Sequence, residues 1–429
     1  MFFLSLFIIF CKYTKKLRNY LYLCRKMWFY LFILRIAALF NKKAKLLIRG
    51  ERQTLASISE KVSEKGTGYV WFHAASVGEF EQIRPVIELF RLRQPDKKVL
   101  LTFFSPSGYE LRKDYDGADI VAYLPFATRR RVRRFLDMVQ PELAVFVKYE
   151  FWPAYLKELK KRAIPTYSVA SIFRKNQAFF KPVVGWWYRR LLKCFTQVLV
   201  QDKQSELLLH QYGITNTAIV GDPRFNRVLQ VAKRDADQPL VGKFANLRQV
   251  LVAGSTWMPD EKLLYRYWKE NPDLYLILAP HEIDEKHLHF LFNMFEGRIL
   301  RYTELTEQNI SSCRVLLVDT IGVLSQLYRY GQVAYIGGGF GVGIHNTLEA
   351  AAYGIPVCFG PNYHHFREAE GLIEAQAAIP LKNYKTLKTA LDTCFSEQAM
   401  MGGSAKNFVL SEQDSAERIY SILTDDINY

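Results

Sequence analysis

The feature that most constrains the fold is an alternation of short apolar runs with amphipathic segments, which occurs twice along the chain. Runs rich in Val, Ile, Leu, Phe and Tyr alternate with helical patterns before residue 222 and again after residue 247. Continuous apolar strands separated by helices are typical of parallel sheets covered on both faces. The two series therefore predict an α/β protein with two doubly wound, Rossmann-like domains.

The predicted strands form two sets, one in each series. Those of the first series are Tyr69–His73, Lys98–Phe104, Ile120–Leu124, Leu143–Lys148, Thr166–Ala170 and Gln197–Gln201. Those of the second are Gln249–Ala253, Leu274–Ala279, Val315–Val318, Val333–Ile336 and Pro356–Phe359. We interpret residues 222–247, where the pattern weakens, as a linker. The 429 residues suit two domains, which we place at residues 51–230 and 231–429.

A separate amino-terminal segment is predicted at residues 1–50. It contains eleven Lys or Arg residues and no Asp or Glu, together with apolar runs at 1–10 and 27–40. Each run is shorter than the roughly 20 residues that span a bilayer, and basic flanks suit an anionic membrane surface. We expect a membrane-associated segment, with a cleaved signal peptide and an ordinary buried helix as alternatives. Met27 is an alternative start of translation, and spanning versus lying in the interface is left open.

Charge and cysteine content narrow the class of protein. The net charge is +16, but most of it belongs to residues 1–50, so the body of the chain is only mildly basic. Together with the absence of a recognised nucleic-acid-binding module, this argues against a nucleic-acid partner. The six cysteines are scattered without a CxxC pair, which indicates a reduced compartment.

The first candidate site follows the strand that ends near His73. Ser76 and Glu79 have the spacing of a capping box at the start of a helix, and the structural interpretation is that Glu79 only caps this helix. The functional interpretation rests on position, because ligands of such folds bind at the carboxyl ends of the strands. There Glu79 can act as a general base towards an acceptor hydroxyl.

The second candidate site is a glycine-rich turn that contains Gly337, Gly338 and Gly339. Glycines let the backbone approach a ligand, and a helix start suits a phosphate. Asn346 and Glu349 lie three residues apart and hence on one helical face. There the Glu349 carboxylate can accept hydrogen bonds from the hydroxyls of a ribose. Neither GxGxxG nor a P-loop is present, which disfavours a nicotinamide oxidoreductase. A glycine turn without a ligand is the alternative.

The third candidate site combines Ser255, in a small-residue turn after a strand, with His281, which ends another strand of the same predicted sheet. Ser255 can donate a hydrogen bond to a phosphate or merely cap a helix. His281 can contact a phosphate or base, or lie unused on the surface.

A cluster of arginines and two acidic pairs complete the candidates. The arginines are Arg129, Arg130, Arg131, Arg133 and Arg134. They form either the solvated start of a helix or a binding site for acidic lipid headgroups and the phosphates of an acceptor. The DxD pairs at residues 114–116 and 235–237 follow no clear strand, and HExxH is absent. We therefore expect no catalytic metal.

Five motifs together resemble a known family. They are ASVGE at Ala75–Glu79, YEFWP at Tyr149–Pro153, GSTW at Gly254–Trp257, GGGF at Gly337–Phe340 and HNTLEAAAYGIPV at His345–Val357. In this order they are similar to the motifs of the bacterial 3-deoxy-D-manno-octulosonic acid (Kdo) transferases of lipopolysaccharide synthesis. The resemblance covers nearly all of residues 27–425.

The resemblance implies a GT-B glycosyltransferase whose two Rossmann-like domains face a cleft. It implies inverting transfer of Kdo from CMP-Kdo to a lipid A precursor (lipid IVA), without metal or cofactor, at the cytoplasmic face of the inner membrane. By the same resemblance Glu79 is the catalytic base. The residues implied on the CMP side are Gly337, Gly338, Gly339, Asn346 and Glu349, with Ser255 and His281. Many relatives carry an Arg beside this His, whereas Ala279 and Pro280 precede it here.

Two other functions remain open at this point. One is a GT-B transferase that uses a UDP-sugar and a different lipid acceptor. The other is a nucleotide-sensing membrane scaffold without catalysis, in which Glu79 can be replaced freely.

Overall fold

The computed structural model describes residues 36–234, 237–246 and 248–425. The chain divides into two compact units. Unit 1 contains the residues up to Arg224 together with those from Asp414 onwards, and unit 2 is Phe225–Gln413. The apolar run at residues 1–10 and most of the run at 27–40 lie outside the described residues.

Unit 1 is built on a seven-stranded parallel sheet. Its strands are β1 (Tyr69–Ala74), β2 (Lys98–Phe103), β3 (Ile120–Tyr123), β4 (Leu143–Val147), β5 (Thr166–Ser171), β6 (Gln197–Val200) and β7 (Thr217–Ile219). The order is β3-β2-β1-β4-β5-β6-β7, so the direction of winding reverses between β1 and β4. Ligands of doubly wound sheets bind at the carboxyl side of such a switch point.

Helices cover both faces of this sheet. They are α1 (Lys42–Lys65), α2 (Val77–Arg93), α3 (Pro106–Arg112), α4 (Arg129–Val139), α5 (Pro153–Lys161), α6 (Pro182–Leu192) and α7 (Lys203–Gln211). The helix boundaries follow from local chemistry. Asn41 caps α1 by accepting from two backbone N–H groups, and Gly66 ends it at φ +79°, a conformation that favours glycine. Every residue of β1 is buried, as expected for a central parallel strand.

Unit 2 contains a second seven-stranded parallel sheet. Its strands are β8 (Gln249–Thr256), β9 (Leu274–Pro280), β10 (Ile299–Arg301), β11 (Val315–Leu317), β12 (Val333–Ile336), β13 (Val357–Phe359) and β14 (Ala378–Pro380). The order is β10-β11-β9-β8-β12-β13-β14, which places the switch point between β8 and β12.

The remaining helices follow in chain order. They are α8 (Arg224–Lys233), α9 (Pro239–Ala245), α10 (Met258–Glu270), α11 (Glu285–Met294), α12 (Leu324–Leu327), α13 (Leu348–Ala351), α14 (Arg367–Glu374), α15 (Tyr384–Ser396), α16 (Gln398–Ser411) and α17 (Ser415–Asp425). Within the described ranges, none of the helices is both long and apolar enough to cross a membrane.

Three predicted boundaries differ from the structure. The predicted segment 1–50 ends inside α1, whose Ala44 and Leu47 are buried against Tyr123 and Phe126 of unit 1. The predicted linker at residues 222–247 contains α8 and α9, each with an apolar face that packs into unit 2. The predicted second domain, 231–429, includes α17, which instead packs on α2 and belongs to unit 1.

Candidate active site

The carboxylate of Glu79 is fixed at the start of α2, directly after β1. Ser76 caps the helix by accepting the Glu79 N–H at 3.4 Å. The Ala75 N–H donates to Glu79 Oε2 at 2.6 Å. A capping box would bring this carboxylate to the N–H of Ser76, so the observed bond lies one residue earlier. The helix start thus holds the carboxylate at the carboxyl end of β1.

The pKa of the Glu79 carboxyl is raised above its usual range. Burial is the largest cause, and the negative charge of Glu150 adds to it. The hydrogen bond from Ala75 and the charges of Lys148 and His73 oppose the shift. A carboxylate with a raised pKa is a stronger base towards a hydroxyl proton. Glu79 therefore has the properties of a general base, and it also stabilises the start of α2.

Glu150 is the second carboxylate of this site, and the sequence assigned it no role. It follows β4, which pairs in parallel with β1, so the two strand ends lie side by side. Glu150 is buried, and Trp152 donates its indole N–H to Oε2 at 2.8 Å. The Nε2 of buried His73 lies 3.5 Å from the same oxygen. The signal available in the sequence was that YEFWP follows its strand as ASVGE follows β1.

His73 is held by β2 on its other side. Its Nδ1 lies 3.1 Å from the Thr102 carbonyl oxygen and 2.9 Å from the Thr102 hydroxyl. A carbonyl oxygen only accepts, so Nδ1 carries a proton. The ring is therefore oriented with Nε2 towards Glu150.

Two further charged residues at this end of the sheet were not predicted. Lys148 follows β4 in the left-handed region at φ +57°, and its charge acts on both Glu79 and Asp222. Burial alone would raise the pKa of Asp222, but the ion pair and hydrogen bonds with Arg224 lower it. Gln82, one turn after Glu79 on α2, donates to Asp222 at 3.3 Å. Charged groups therefore surround the switch point of unit 1.

In unit 2 the predicted glycines follow β12, but they pack mainly against the protein itself. A Cβ on Gly337 would overlap the Ser255 carbonyl and lie 2.5 Å from the Cα of Thr256. Gly338 has φ +88°, and a Cβ on Gly339 would lie 2.6 Å from the Cα of Gly360. These three glycines are thus required for close backbone packing, which holds the turn at the carboxyl end of β12.

Asn346 and Glu349 lie on one face, as predicted, although the helix that carries Glu349 is a single turn, α13. Asn346 Nδ2 donates to Glu349 Oε1 at 2.9 Å, and Asn346 Oδ1 accepts from the Leu348 N–H at 3.2 Å. Asn346 therefore fixes the carboxylate of Glu349 and also accepts a hydrogen bond from the first residue of the turn.

Ser255 and His281 both lie beside the switch point of unit 2. Ser255 has φ +53° at an irregularity in the pairing of β8 with β9, a strained conformation for a residue other than glycine. The backbone N–H of His281 donates to the Thr256 carbonyl at 2.9 Å. The imidazole of His281 stacks on Trp257 and on His345. His345 was not among the predicted site residues, although it opens one of the quoted motifs.

The predicted arginine cluster on α4 is divided between two roles. Arg131 forms an ion pair with buried Glu51 at 2.6 Å, and Arg133 lies 3.5 Å from Glu158. Arg129, Arg130 and Arg134 are exposed. The first two lie in the first turn of α4, where a positive charge is unfavourable to the helix dipole. They therefore contribute an exposed basic surface rather than helix stability.

No group of three or more His, Cys, Asp or Glu side chains suited to a metal ion occurs within residues 36–234, 237–246 and 248–425.

The two sheets, each with its candidate residues at a switch point, define the class of protein. The solved structure of UDP-GlcNAc 2-epimerase from Neisseria meningitidis, bound to UDP-GlcNAc, matches with a TM-score of 0.60 and 12% identity, covering 83% of this chain and 100% of that one. The UDP-GlcNAc 2-epimerase from Methanocaldococcus jannaschii matches with a TM-score of 0.57 and 16% identity, covering 83% and 99%. The chain thus has the GT-B fold.

Sequence relatives show which glycosyltransferases this chain resembles. The 3-deoxy-D-manno-octulosonic acid transferase of Aquifex aeolicus is 27% identical over 77% of this chain and 86% of its own length. The same-named proteins of Rickettsia felis and Haemophilus influenzae are 26% and 22% identical, covering 83% and 82% of this chain, and 78% and 86% of their own lengths. The family model for 3-deoxy-D-manno-octulosonic-acid transferase (kdotransferase) matches residues 49–227. The chain is a glycosyltransferase whose sequence is similar to those of the Kdo transferases.

Proposed function

We propose that this glycosyltransferase moves Kdo from CMP-Kdo to a hydroxyl of a lipid A precursor, lipid IVA, in lipopolysaccharide synthesis. The observation that carries the proposal is the Glu79 carboxylate, fixed by the Ala75 N–H and raised in pKa at the carboxyl end of β1. The names of the sequence relatives support Kdo as the transferred sugar. We place the reaction at the cytoplasmic face of the inner membrane.

The proposed reaction is a single displacement with inversion. Glu79 accepts the proton of the attacking hydroxyl as its oxygen forms a bond to the anomeric carbon of Kdo. The bond from that carbon to the phosphate oxygen breaks, and CMP leaves with the bonding electrons. CMP carries one phosphate, so neutral donors and backbone N–H groups can stabilise the leaving group. The proposed reaction therefore needs no metal ion.

On the donor side, the proposal uses residues at the switch point of unit 2. Glu349, oriented by Asn346, suits the ribose hydroxyls of CMP. The turn of Gly337, Gly338 and Gly339 lets the backbone approach the donor after β12, while the N–H groups of Gly337 and Gly338 donate to Gly254 and Asp260. Ser255 lies at the end of β8, which is next to β12, and His281 follows β9, the strand beyond β8.

On the acceptor side, the proposal uses basic and apolar surface of unit 1. Leu39 and Phe40 are exposed just before α1, and exposed Arg129, Arg130 and Arg134 lie on α4. Exposed apolar side chains beside cations suit an anionic lipid surface, where each Lys or Arg contributes about 1 kcal/mol. These groups support a membrane-bound acceptor that carries phosphates.

The base is tested by Glu79→Gln. Loss of a general base lowers turnover by about 10²–10⁴-fold, and we expect Glu79→Gln to retain CMP affinity while turnover falls by at least about 100-fold. The measurement is the mass of the product formed from CMP-Kdo and a tetraacyl disaccharide bisphosphate. Glu81→Gln is the matched control, because Glu81 lies on the same helix as Glu79 but pairs with Arg84 and with Arg112 of α3. Near-normal turnover of Glu79→Gln rejects this base and favours a scaffold without catalysis.

The donor is tested in the same assay with UDP-sugars in place of CMP-Kdo. A product of Kdo mass from CMP-Kdo alone supports the proposal. A hexose or N-acetylhexosamine product from a UDP-sugar instead identifies the alternative GT-B transferase.

Metal independence is tested by adding EDTA to the transfer assay. We expect the rate to stay within about twofold, because the proposed stabilisation of CMP uses protein donors. A large loss of rate that Mg²⁺ or Mn²⁺ restores contradicts this part of the proposal.

A further inference from the structure

Three aromatic rings from three neighbouring strands converge at the switch point of unit 2. Trp257 follows β8, His281 follows β9 and His345 follows β12; β8 lies between the other two strands. The centroid of His281 lies 4.7 Å from that of Trp257 and 4.4 Å from that of His345, with near-parallel planes. The rings therefore occupy the position where doubly wound sheets bind the phosphate of a nucleotide.

Trp257 fixes the tautomer of His345. Its indole N–H, which can only donate, lies 3.2 Å from His345 Nε2. His345 Nε2 is therefore an acceptor, and the proton of the neutral ring is on Nδ1. Burial, followed by the charge of His281, lowers the pKa of His345. Gly338 leaves room for this ring, since a Cβ there would lie 3.0 Å from His345 Cδ2.

The charged groups around the rings come from α10, α11 and the end of β9. Buried Asp260 accepts from the Trp257 N–H at 2.9 Å and the Gly338 N–H at 3.0 Å. The next residue, Glu261, is paired with His287 at 3.0 Å, and exposed Glu282 follows His281.

The charges that act on His345 are those of His281 and Asp260, and neither belongs to a lysine or arginine. A phosphate at the rings therefore meets two imidazoles whose charge depends on proton binding. Two positive charges on stacked rings repel each other. The two imidazoles together therefore bind one extra proton more readily than two. The side-chain carboxylate of Asp260, which already accepts from two backbone N–H groups, stabilises that single charge.

We propose that Trp257, His281 and His345 form the subsite for the donor phosphate, and that a phosphate binds there together with one proton taken from solvent by the imidazole pair. Exposed His281 accepts the proton, His345 donates through Nδ1–H, and Trp257 is a positioning residue. The inference deepens the proposed function, since it rests on CMP as the nucleotide of the donor.

Proton uptake is measured by titration calorimetry with CMP at pH 7.5 in buffers of different ionisation enthalpy. The phosphate of CMP is almost fully ionised there, because such a group has a second pKa of about 6. We expect uptake of about one proton per CMP and none with cytidine, which lacks the phosphate. His281→Asn abolishes the uptake and weakens CMP binding about tenfold or more. His289→Asn, which alters an exposed histidine of α11, is the matched control and behaves as the unmodified protein.

A permanent positive charge at position 281 provides a second test. The unmodified protein loses CMP affinity by up to about tenfold per pH unit above the imidazole range. His281→Arg removes this dependence between pH 6.5 and 8.5. Trp257→Phe keeps an aromatic ring in the stack but no longer fixes the tautomer of His345, so the pH dependence of CMP affinity shifts while cytidine affinity stays the same.

Three results overturn the inference: CMP binding without proton uptake, uptake that survives His281→Asn, or pH-dependent binding by His281→Arg. Each is separate from the proposed function. Kdo transfer without proton-linked CMP binding rejects the subsite alone, whereas proton-linked CMP binding without Kdo transfer from CMP-Kdo rejects the reaction.

Discussion

Glu79 contributes to the fold and to the proposed reaction through the same carboxylate. Oε2 accepts from the Ala75 N–H, which restrains the turn between β1 and α2, and burial beside Glu150 raises the pKa of the group. The structural and functional interpretations of this residue are therefore compatible. A base that is already fixed by backbone loses little rotamer freedom when the acceptor arrives.

Removing the charge of Glu150 shifts the pH dependence of the reaction. In Glu150→Gln the neighbouring negative charge that raises the pKa of Glu79 is absent, so the pKa of Glu79 falls. Glu79 acts as a carboxylate, and a lower pKa keeps it ionised in more acidic solution. We expect the acidic limb of the kcat/KM profile to move to lower pH, with a modest loss of rate near neutrality because the base is weaker.

The control for this profile is Glu88→Gln on the same helix, since Glu88 pairs with Arg84 and is not among the groups that shift the pKa of Glu79. We expect Glu88→Gln to leave the acidic limb of the kcat/KM profile at the same pH as in the unmodified protein. An unchanged limb in Glu150→Gln shows that another group sets the acidic pKa of the reaction.

The local sequence pattern predicted Glu79, but it did not predict the residues that shift the pKa of Glu79. A strand, a small-residue turn and a helix are contiguous in sequence, so the position of Glu79 is readable from residues 69–91. Glu150 is distant in sequence, and it acts on Glu79 only because β4 lies beside β1. That adjacency depends on the order of strands in the sheet, which a single sequence does not specify.

The turn after β12 shows that glycines in a predicted ligand loop can be required by packing alone. Gly337 and Gly339 are pressed against the backbone of Ser255 and Gly360. Gly341, in the same loop, has only the Gly338 carbonyl nearby, 3.5 Å from where a Cβ would lie. The loop therefore contains both packed and unpacked glycines, and the two kinds respond differently to substitution.

Gly337→Ala and Gly341→Ala test this difference within one loop. A methyl group at Gly337 overlaps backbone atoms that cannot rotate away, so we expect a loss of about 1–3 kcal/mol in the free energy of unfolding. At exposed Gly341 we expect a change within about 0.5 kcal/mol. Urea denaturation measures both. Equal effects of the two substitutions contradict the packing argument.

Eleven strands were predicted from their apolar runs, including the short β11 and β13, and their centres agree with the structure. The strands that were missed, β7, β10 and β14, each have three residues and lie at the edge of a sheet. Length alone does not explain this, because β11 and β13 also have three residues and were predicted. Those two strands are fully buried and continuously apolar, whereas β7, β10 and β14 are only partly buried, and a short run of mixed character gives no strand signal. The helices α8 and α9 in the predicted linker were missed because polar residues between them interrupt the pattern.

Across the whole molecule, α17 connects the last described part of the chain to unit 1. Ile419 and Leu423 are buried in the cluster that also contains Phe90 of α2, and the ring of Tyr420 lies 4.9 Å from that of Phe90. Arg93 and Glu417 form an ion pair at the rim of this contact. Unit 1 is therefore assembled from two parts of the chain that are separated by all of unit 2.

Leu423→Ala tests the contribution of α17 to unit 1. Truncation of a buried leucine costs about 2–5 kcal/mol, and we expect faster hydrogen exchange of the amides of α2, with little change in the sheet of unit 2. Ser421→Ala, at an exposed position of the same helix, is the matched control. A uniform increase in exchange across both units contradicts the assignment of α17 to unit 1.

The contact between α17 and α2 also imposes an order on biosynthesis. A ribosome adds about 5–20 residues per second, so α17 emerges about 10–40 s after the strands of unit 1 have been made. Until then the nascent chain carries an α2 whose apolar face, including Phe90, is uncovered. Chaperones that bind exposed apolar helices have a defined target during that interval, and the target disappears once α17 has folded onto it.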